Sequence, residues 1–331
     1  MQTPLNSIFG CEYPIIQATM NGIVKDAGKL SASISEAGGF GIISGIGASP
    51  TEVEREIKIA KKLTNAPFGV GIVSIPTFEG IGVNTGNKLS RTEKIATIND
   101  LKNLKLVIEI ILDENIPVVS ITKANSYIVD KLKSQNIKII AKHRSLNTID
   151  YNLKNGVDAI ILKGEEGAGF SGHFSTGAGC SAYHDMYSTP FIVSGGIASA
   201  KDIKHYLKYP LVMGIQIGTR FLGCKELFLH ENVKKEVINA KSQNSVVIGN
   251  KDLTPIRALV TPNSYKWVGR FTDEAVAKTK NKTSLGLSFL LKNTIKSGDI
   301  ENGIVFAGTG VGHVTKIQSA KEIIEELTEE L

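Results

Sequence analysis

The chain has 331 residues, with 42% hydrophobic, 6% aromatic and 33 glycines. That much apolar material buries a large core, which excludes intrinsic disorder. The 38 Lys and Arg against 32 Asp and Glu leave a net charge of +6, but the lysines fall at helical spacing on otherwise apolar segments. They read as solvated helix faces and not as a nucleic-acid footprint.

In chain order, short apolar runs alternate with amphipathic stretches. The runs are 14–20 (PIIQATM), 40–46, 68–75, 117–121, 137–141, 159–162, 191–194 and 213–217. Most are rich in Val and Ile without polar alternation, as parallel strands buried on both faces are. Helices are predicted over 27–37, 50–63, 99–114, 126–135, 148–155 and 200–207, and a last one over 318–329. Ser49 followed by Pro50 is a strong helix start. A polar stretch at 76–94 is too long for an ordinary turn. Eight strands alternating with helices predict a TIM (β/α)8 barrel, in preference to an open doubly wound sheet.

The rhythm breaks after about residue 225. We expect the main part of the barrel over 1–224, an inserted helical and loop subdomain over 225–299, and a segment over 300–331 that returns to the barrel. No run reaches the roughly 18 apolar residues of a membrane span. The opening MQTPLNSIFG lacks the pattern of a secretory signal. Three cysteines, Cys11, Cys180 and Cys224, show no CxxC spacing. A disulfide framework or metal site is therefore not expected, and a cytoplasmic location is.

Many glycines fall at strand ends, which in a barrel form the C-terminal mouth where active sites are built. Gly22 follows the first strand, and Gly164, Gly167, Gly169 and Gly172 follow the sixth. Ser194-Gly195-Gly196 and Gln216-Ile217-Gly218-Thr219 follow the last two. Those two turns stand where barrels bind phosphate on backbone amides. Lys142, His143 and Lys123 end strands at the same mouth and suit an anionic substrate. Cys180 has no visible base to make it a nucleophile. Glu165 and Glu166 are adjacent, so their side chains diverge and do not form an acid–base pair.

Ordered segments across nearly the whole chain carry a resemblance. They include PIIQATM (14–20), SEAGGFGIISG (35–45), GVDAIILKGEEGAG (156–169), PFIVSGGIASAKDI (190–203) and MGIQIGTRFLGCKE (213–226). Together they resemble the flavin-dependent nitronate monooxygenase (2-nitropropane dioxygenase) family and its relative, the FMN-type enoyl-acyl-carrier-protein reductase. The resemblance implies a barrel holding FMN. Ala18, Thr19 and Met20 would lie near the isoalloxazine, with Gly71, Lys142 and Gly169 around it. Ser194, Gly195, Gly196, Gln216, Gly218 and Thr219 would hold the phosphate and ribityl chain. It also implies a small-molecule substrate, a nitronate or an enoyl thioester; a homodimer is the expected assembly, and charge pattern and hydropathy predict no nucleic-acid or membrane partner.

Three departures stand out. The family's QGPM reads Gln17-Ala18-Thr19-Met20 here, and its asparagine is Gly71. Its EAGGH loop, whose histidine is the catalytic base, has Phe170 at the aligned position. His173, three residues on, is the candidate catalytic residue in its place. The expected activity is oxidative denitrification of alkyl nitronates with O2. NAD(P)H-dependent enoyl-thioester reduction, and a non-catalytic flavin-binding role, stay open.

Overall fold

In the computed structural model, residues 3–20, 25–72, 91–124, 126–248, 255–265 and 284–331 are described, with only the backbone for 91–100 and 284–289. Eight parallel strands form one sheet: β1 (Ile15–Gln17), β2 (Gly41–Ser44), β3 (Phe68–Gly71), β4 (Val118–Ile121), β5 (Lys138–His143), β6 (Ala159–Lys163), β8 (Phe191–Ser194) and β9 (Val212–Ile217). A short strand, β7 (Gly169–Phe170), lies outside it. The order runs β1-β9-β8-β6-β5-β4-β3-β2. Ile16 bridges Phe40 in parallel, and Gln17 N–H donates to the Phe40 carbonyl at 2.9 Å, joining the two ends. The fold is a TIM barrel, and each predicted apolar run supplies one of its strands.

The runs read as strands because both faces are buried. Ile16, Ile42, Ile140, Ile161 and Ile192 fill the barrel interior, while their neighbours Ile15, Ile43, Ile139, Ile160 and Val193 pack outward under the helices. A six-residue helix, Pro4–Phe9, which the sequence pattern does not predict, plugs the N-terminal end. Its Leu5 and Phe9 join the interior cluster, and Phe9 sits 5.3 Å from Phe40 between ring centroids. Thr3 Oγ1 donates to the Met213 carbonyl at 2.6 Å and ties the plug to β9.

The helix Pro50–Leu63 has the predicted bounds. Ser49 Oγ accepts from Glu52 N–H at 3.3 Å, and Glu52 Oε2 accepts from Ser49 N–H at 2.7 Å. We expect Ser49→Ala to cost about 1 kcal/mol, read as a lower urea midpoint at unchanged slope. The helix predicted over 99–114 starts earlier, running Arg91–Asp113. Residues 76–90 of the expected loop, and Gly22, lie outside the described residues. The last helix, Ala320–Thr328, buries Ile323, Ile324 and Leu327 as its pattern requires.

Other elements lie outside the predicted pattern. Helix Thr176–Met186 follows the sixth-strand loop. Within 225–299, besides the helices Glu231–Asn239, Pro262–Tyr265 and Ser284–Ser297, strands β10 (Ser245–Ile248) and β11 (Ile256–Leu259) pair antiparallel. β11 then pairs with β7. Among the described residues no helix is long and apolar enough to cross a membrane.

Candidate active site

The C-terminal strand ends surround a cavity of about 860 Å³. Ala18, Thr19 and Met20 line it after β1, Ser194, Gly195 and Gly196 after β8, and Gln216, Gly218 and Thr219 at and after β9. Lys142, Gly169 and His173 line it as well, whereas Gly71 lies in β3 and is not part of the wall.

The β8 turn owes its shape to its glycines. Gly195 and Gly196 have φ of 121° and 70°. A Cβ on Gly195 would stand 2.7 Å from Thr176 Oγ1. Thr176 opens its helix with both its N–H and hydroxyl on the Glu166 carboxylate, at 2.9 and 2.6 Å. The Glu166 carbonyl accepts from Thr309 N–H at 3.0 Å. Glu166 is therefore a tie between loops, with its charge at a helix N-terminus.

Gln216 is 2% exposed, and both atoms of its amide are without a hydrogen-bond partner among the described residues. Buried polar groups are normally paired, so an amide left open at a cavity wall is a group prepared for a ligand.

β5 and β6 bring the charge. Lys142 Nζ reaches across the mouth to donate to Thr19 Oγ1 at 2.8 Å. Burial pulls its pKa down to about 8. Lys163 Nζ donates to the Phe170 carbonyl at 2.7 Å and to that of Ala168, tying down the loop after β6. Burial, with the charges of Lys142 and Arg144, holds Lys163 well below the usual lysine range. The Arg144 guanidinium lies 5.6 Å from the centre of the Phe170 ring, and its Nη1 is buried without a partner among the described residues. Lys123 also lines the wall, its ammonium 4.8 Å from the centre of the Tyr151 ring. The sequence reading names Lys142 and Lys123 but misses Lys163 and Arg144. No Asp or Glu is among the described residues of the wall, so its charged lining is basic throughout.

The histidines divide. His143 is 2% exposed, with Nδ1 3.0 Å from Thr148 Oγ1 and Nε2 2.7 Å from Asn152 Nδ2. The amide donates to Nε2, so the ring proton sits on Nδ1. Burial lowers its pKa to about 4, leaving a neutral ring with both nitrogens occupied. His173 is exposed at the rim, its backbone N–H donating to the Arg144 carbonyl at 3.0 Å. Phe170 is fixed by the pairing of β7 with β11, opposite Ile256. Cys180 is fully buried, its thiol pushed up to about 12 by burial, so it is unreactive.

The wall also has an apolar side, formed by Leu229, Val233, Leu291 and Ile295.

Comparison with known proteins places the chain in a family. A probable nitronate monooxygenase of Staphylococcus aureus (strain JH9) is 29% identical over 265 residues, 73% of this chain and 74% of that protein. FabK from Thermotoga maritima superposes with a TM-score of 0.80 at 26% identity, covering 100% of this chain and 96% of that one. A nitroalkane oxidase from Streptomyces ansochromogenes shares the fold, with a TM-score of 0.78 at 21% identity, over 99% and 97% of the two chains. The family model for nitronate monooxygenase matches residues 2–330. The chain is an oxidoreductase enzyme belonging to the nitronate monooxygenase family.

Proposed function

We propose that the cavity holds FMN and that the enzyme oxidises alkyl nitronates with O2. The open Gln216 amide carries the reading, because it stands beside the Gly195–Gly196 and Gly218–Thr219 turns in a cavity large enough for a flavin. Backbone amides of these turns would hold the phosphate, as barrels do at this position. Gln216, Ala18, Thr19 and Met20 would meet the rest of the cofactor. Bound FMN supplies the electron-accepting chemistry.

The chain's own residues favour an anionic substrate. The basic wall attracts a nitronate and opposes a cation. A nitronate has already lost its α-proton, so it needs no base. A neutral nitroalkane does need one, and the imidazoles do not supply it: His143 has both ring nitrogens engaged and His173 is exposed at the rim. Phe170 at the family's histidine position therefore suits nitronate oxidation.

The test is anaerobic addition of ethylnitronate, nitroethane and NADPH in turn to the FMN-loaded protein. Ethylnitronate is expected to bleach the flavin, and nitroethane to leave it oxidised. A flavin that ignores ethylnitronate sinks the proposal. Fast bleaching by NADPH, with turnover of a crotonyl thioester, would establish the second reading. That reading rests on the apolar wall of Leu229, Val233, Leu291 and Ile295, which suits an acyl chain.

A further inference from the structure

Position 71 has no room for a side chain. A Cβ built there meets Thr19 Cγ2 at 1.8 Å and Thr19 Cβ at 3.2 Å, and the next neighbour, Ile42 Cγ2, is at 3.6 Å. The obstacle is thus one methyl group from a residue distant in sequence. β2 lies between β1 and β3 in the barrel, so the contact is made by the chain beyond β1 turning in over the mouth. With its methyl seated against Gly71, the threonine side chain is held in one rotamer, as β-branched residues tend to be. Its hydroxyl then accepts from Lys142 Nζ at 2.8 Å, from the end of β5.

Lys142 has reason to need this acceptor. Lys163 is close enough for the two charges to repel each other, and no carboxylate stands on the described wall. An ammonium in that setting moves toward solvent unless an oxygen holds it. Thr19 is its hydrogen-bond partner among the described residues.

We propose that Gly71 and Thr19 form a coupled seat for Lys142. Gly71 provides the space, the Thr19 methyl fills it, and the Thr19 hydroxyl fixes the ammonium in the cavity. Thr19 is a positioning residue, acting on a bound anion through Lys142. The departures from the family pattern at positions 19 and 71 are then a single compensated change. The effect on a ligand rests on the nitronate reading above, but the seat does not.

The test uses purified full-length protein and two readouts that need no turnover. The first is acetic anhydride labelling of Lys142 as a function of pH, followed by mass spectrometry. Thr19→Ser keeps the hydroxyl but loses the methyl that holds its rotamer, and is expected to titrate between wild type and Thr19→Val. Thr19→Val keeps the bulk but loses the acceptor, and should move the Lys142 midpoint by about one pH unit. An unmoved midpoint in Thr19→Val overturns the proposal. The second readout is thermal unfolding of Gly71→Ala in two backgrounds. Alone, with Thr19 intact, the variant should be strongly destabilised or fail to fold. The double variant Thr19→Ser/Gly71→Ala lacks the obstructing methyl and should recover. Equal damage in both backgrounds overturns the coupling. With ethylnitronate, Thr19→Val should raise KM about tenfold and Thr19→Ser by less. If the protein binds no flavin or ignores nitronates, the labelling and the rescue still decide whether the seat exists.

Discussion

Gly195→Ala is expected to weaken FMN binding by about tenfold to a hundredfold. At φ of 121°, alanine is strained by roughly 1–3 kcal/mol, and its methyl group would also press on Thr176 Oγ1 from 2.7 Å. The backbone relieves both by moving, and the moved amides are those assigned to the phosphate. Gly156→Ala is the matching control. Gly156 has φ of 82°, stands away from the mouth, and a Cβ there comes no nearer than 3.6 Å to Val129 Cγ1. It should lose stability yet retain FMN. Fluorescence titration of FMN into each variant, with circular dichroism to confirm folding, separates the two. Unaltered affinity in folded Gly195→Ala would remove this turn from the cofactor site.

The second large effect is a loss of stability in acid traceable to His143. Its pKa falls from the ordinary 6.5 to about 4 in the folded chain, because burial disfavours the charged ring. Between those values the unfolded chain binds a proton that the folded chain does not. Acid therefore favours unfolding, and the stability present above pH 6.5 declines as pH falls toward 4. The change amounts to about 3 kcal/mol. Urea unfolding at a series of pH values should show a slope that flattens in His143→Gln. If wild type and variant keep parallel pH dependence, burial of His143 is not its source.

The barrel was readable because parallel strands covered on both faces become unbroken Val and Ile runs, as in FIVS and AIIL. The Pro50–Leu63 helix was readable to the residue because Ser49, Pro50 and Glu52 specify its start locally. Helix Thr176–Met186 was not, since TGAGCSAYHDM is short of large apolar residues at helical spacing. The pairing of Gly169–Phe170 with Ile256–Leu259, far along the chain, left no local trace. The same holds within the site. Strand-end glycines and Gln216 could be read from their motifs. That Lys163 and Arg144 complete a basic wall depends on two adjacent strands ending at one depth. The contact of Thr19 with Gly71 depends on a chain reversal that no spacing encodes. Only proximity in sequence links His173 to the missing histidine, and the structure places it at the rim.

The mouth is closed by the far end of the chain. Gly308 N–H donates to Thr219 Oγ1 at 2.9 Å, Thr309 N–H to the Glu166 carbonyl, and Leu259 N–H to the Val305 carbonyl at 2.8 Å. Phe306 and Gly310 line the same cavity as Ala18. During synthesis, the side of the pocket formed by residues 305–310 therefore emerges after the strand-end turns of the barrel. A nascent chain stalled before residue 300 would hold the barrel sheet and its strand-end turns, but would lack the Val305, Phe306 and Gly310 side of the cavity.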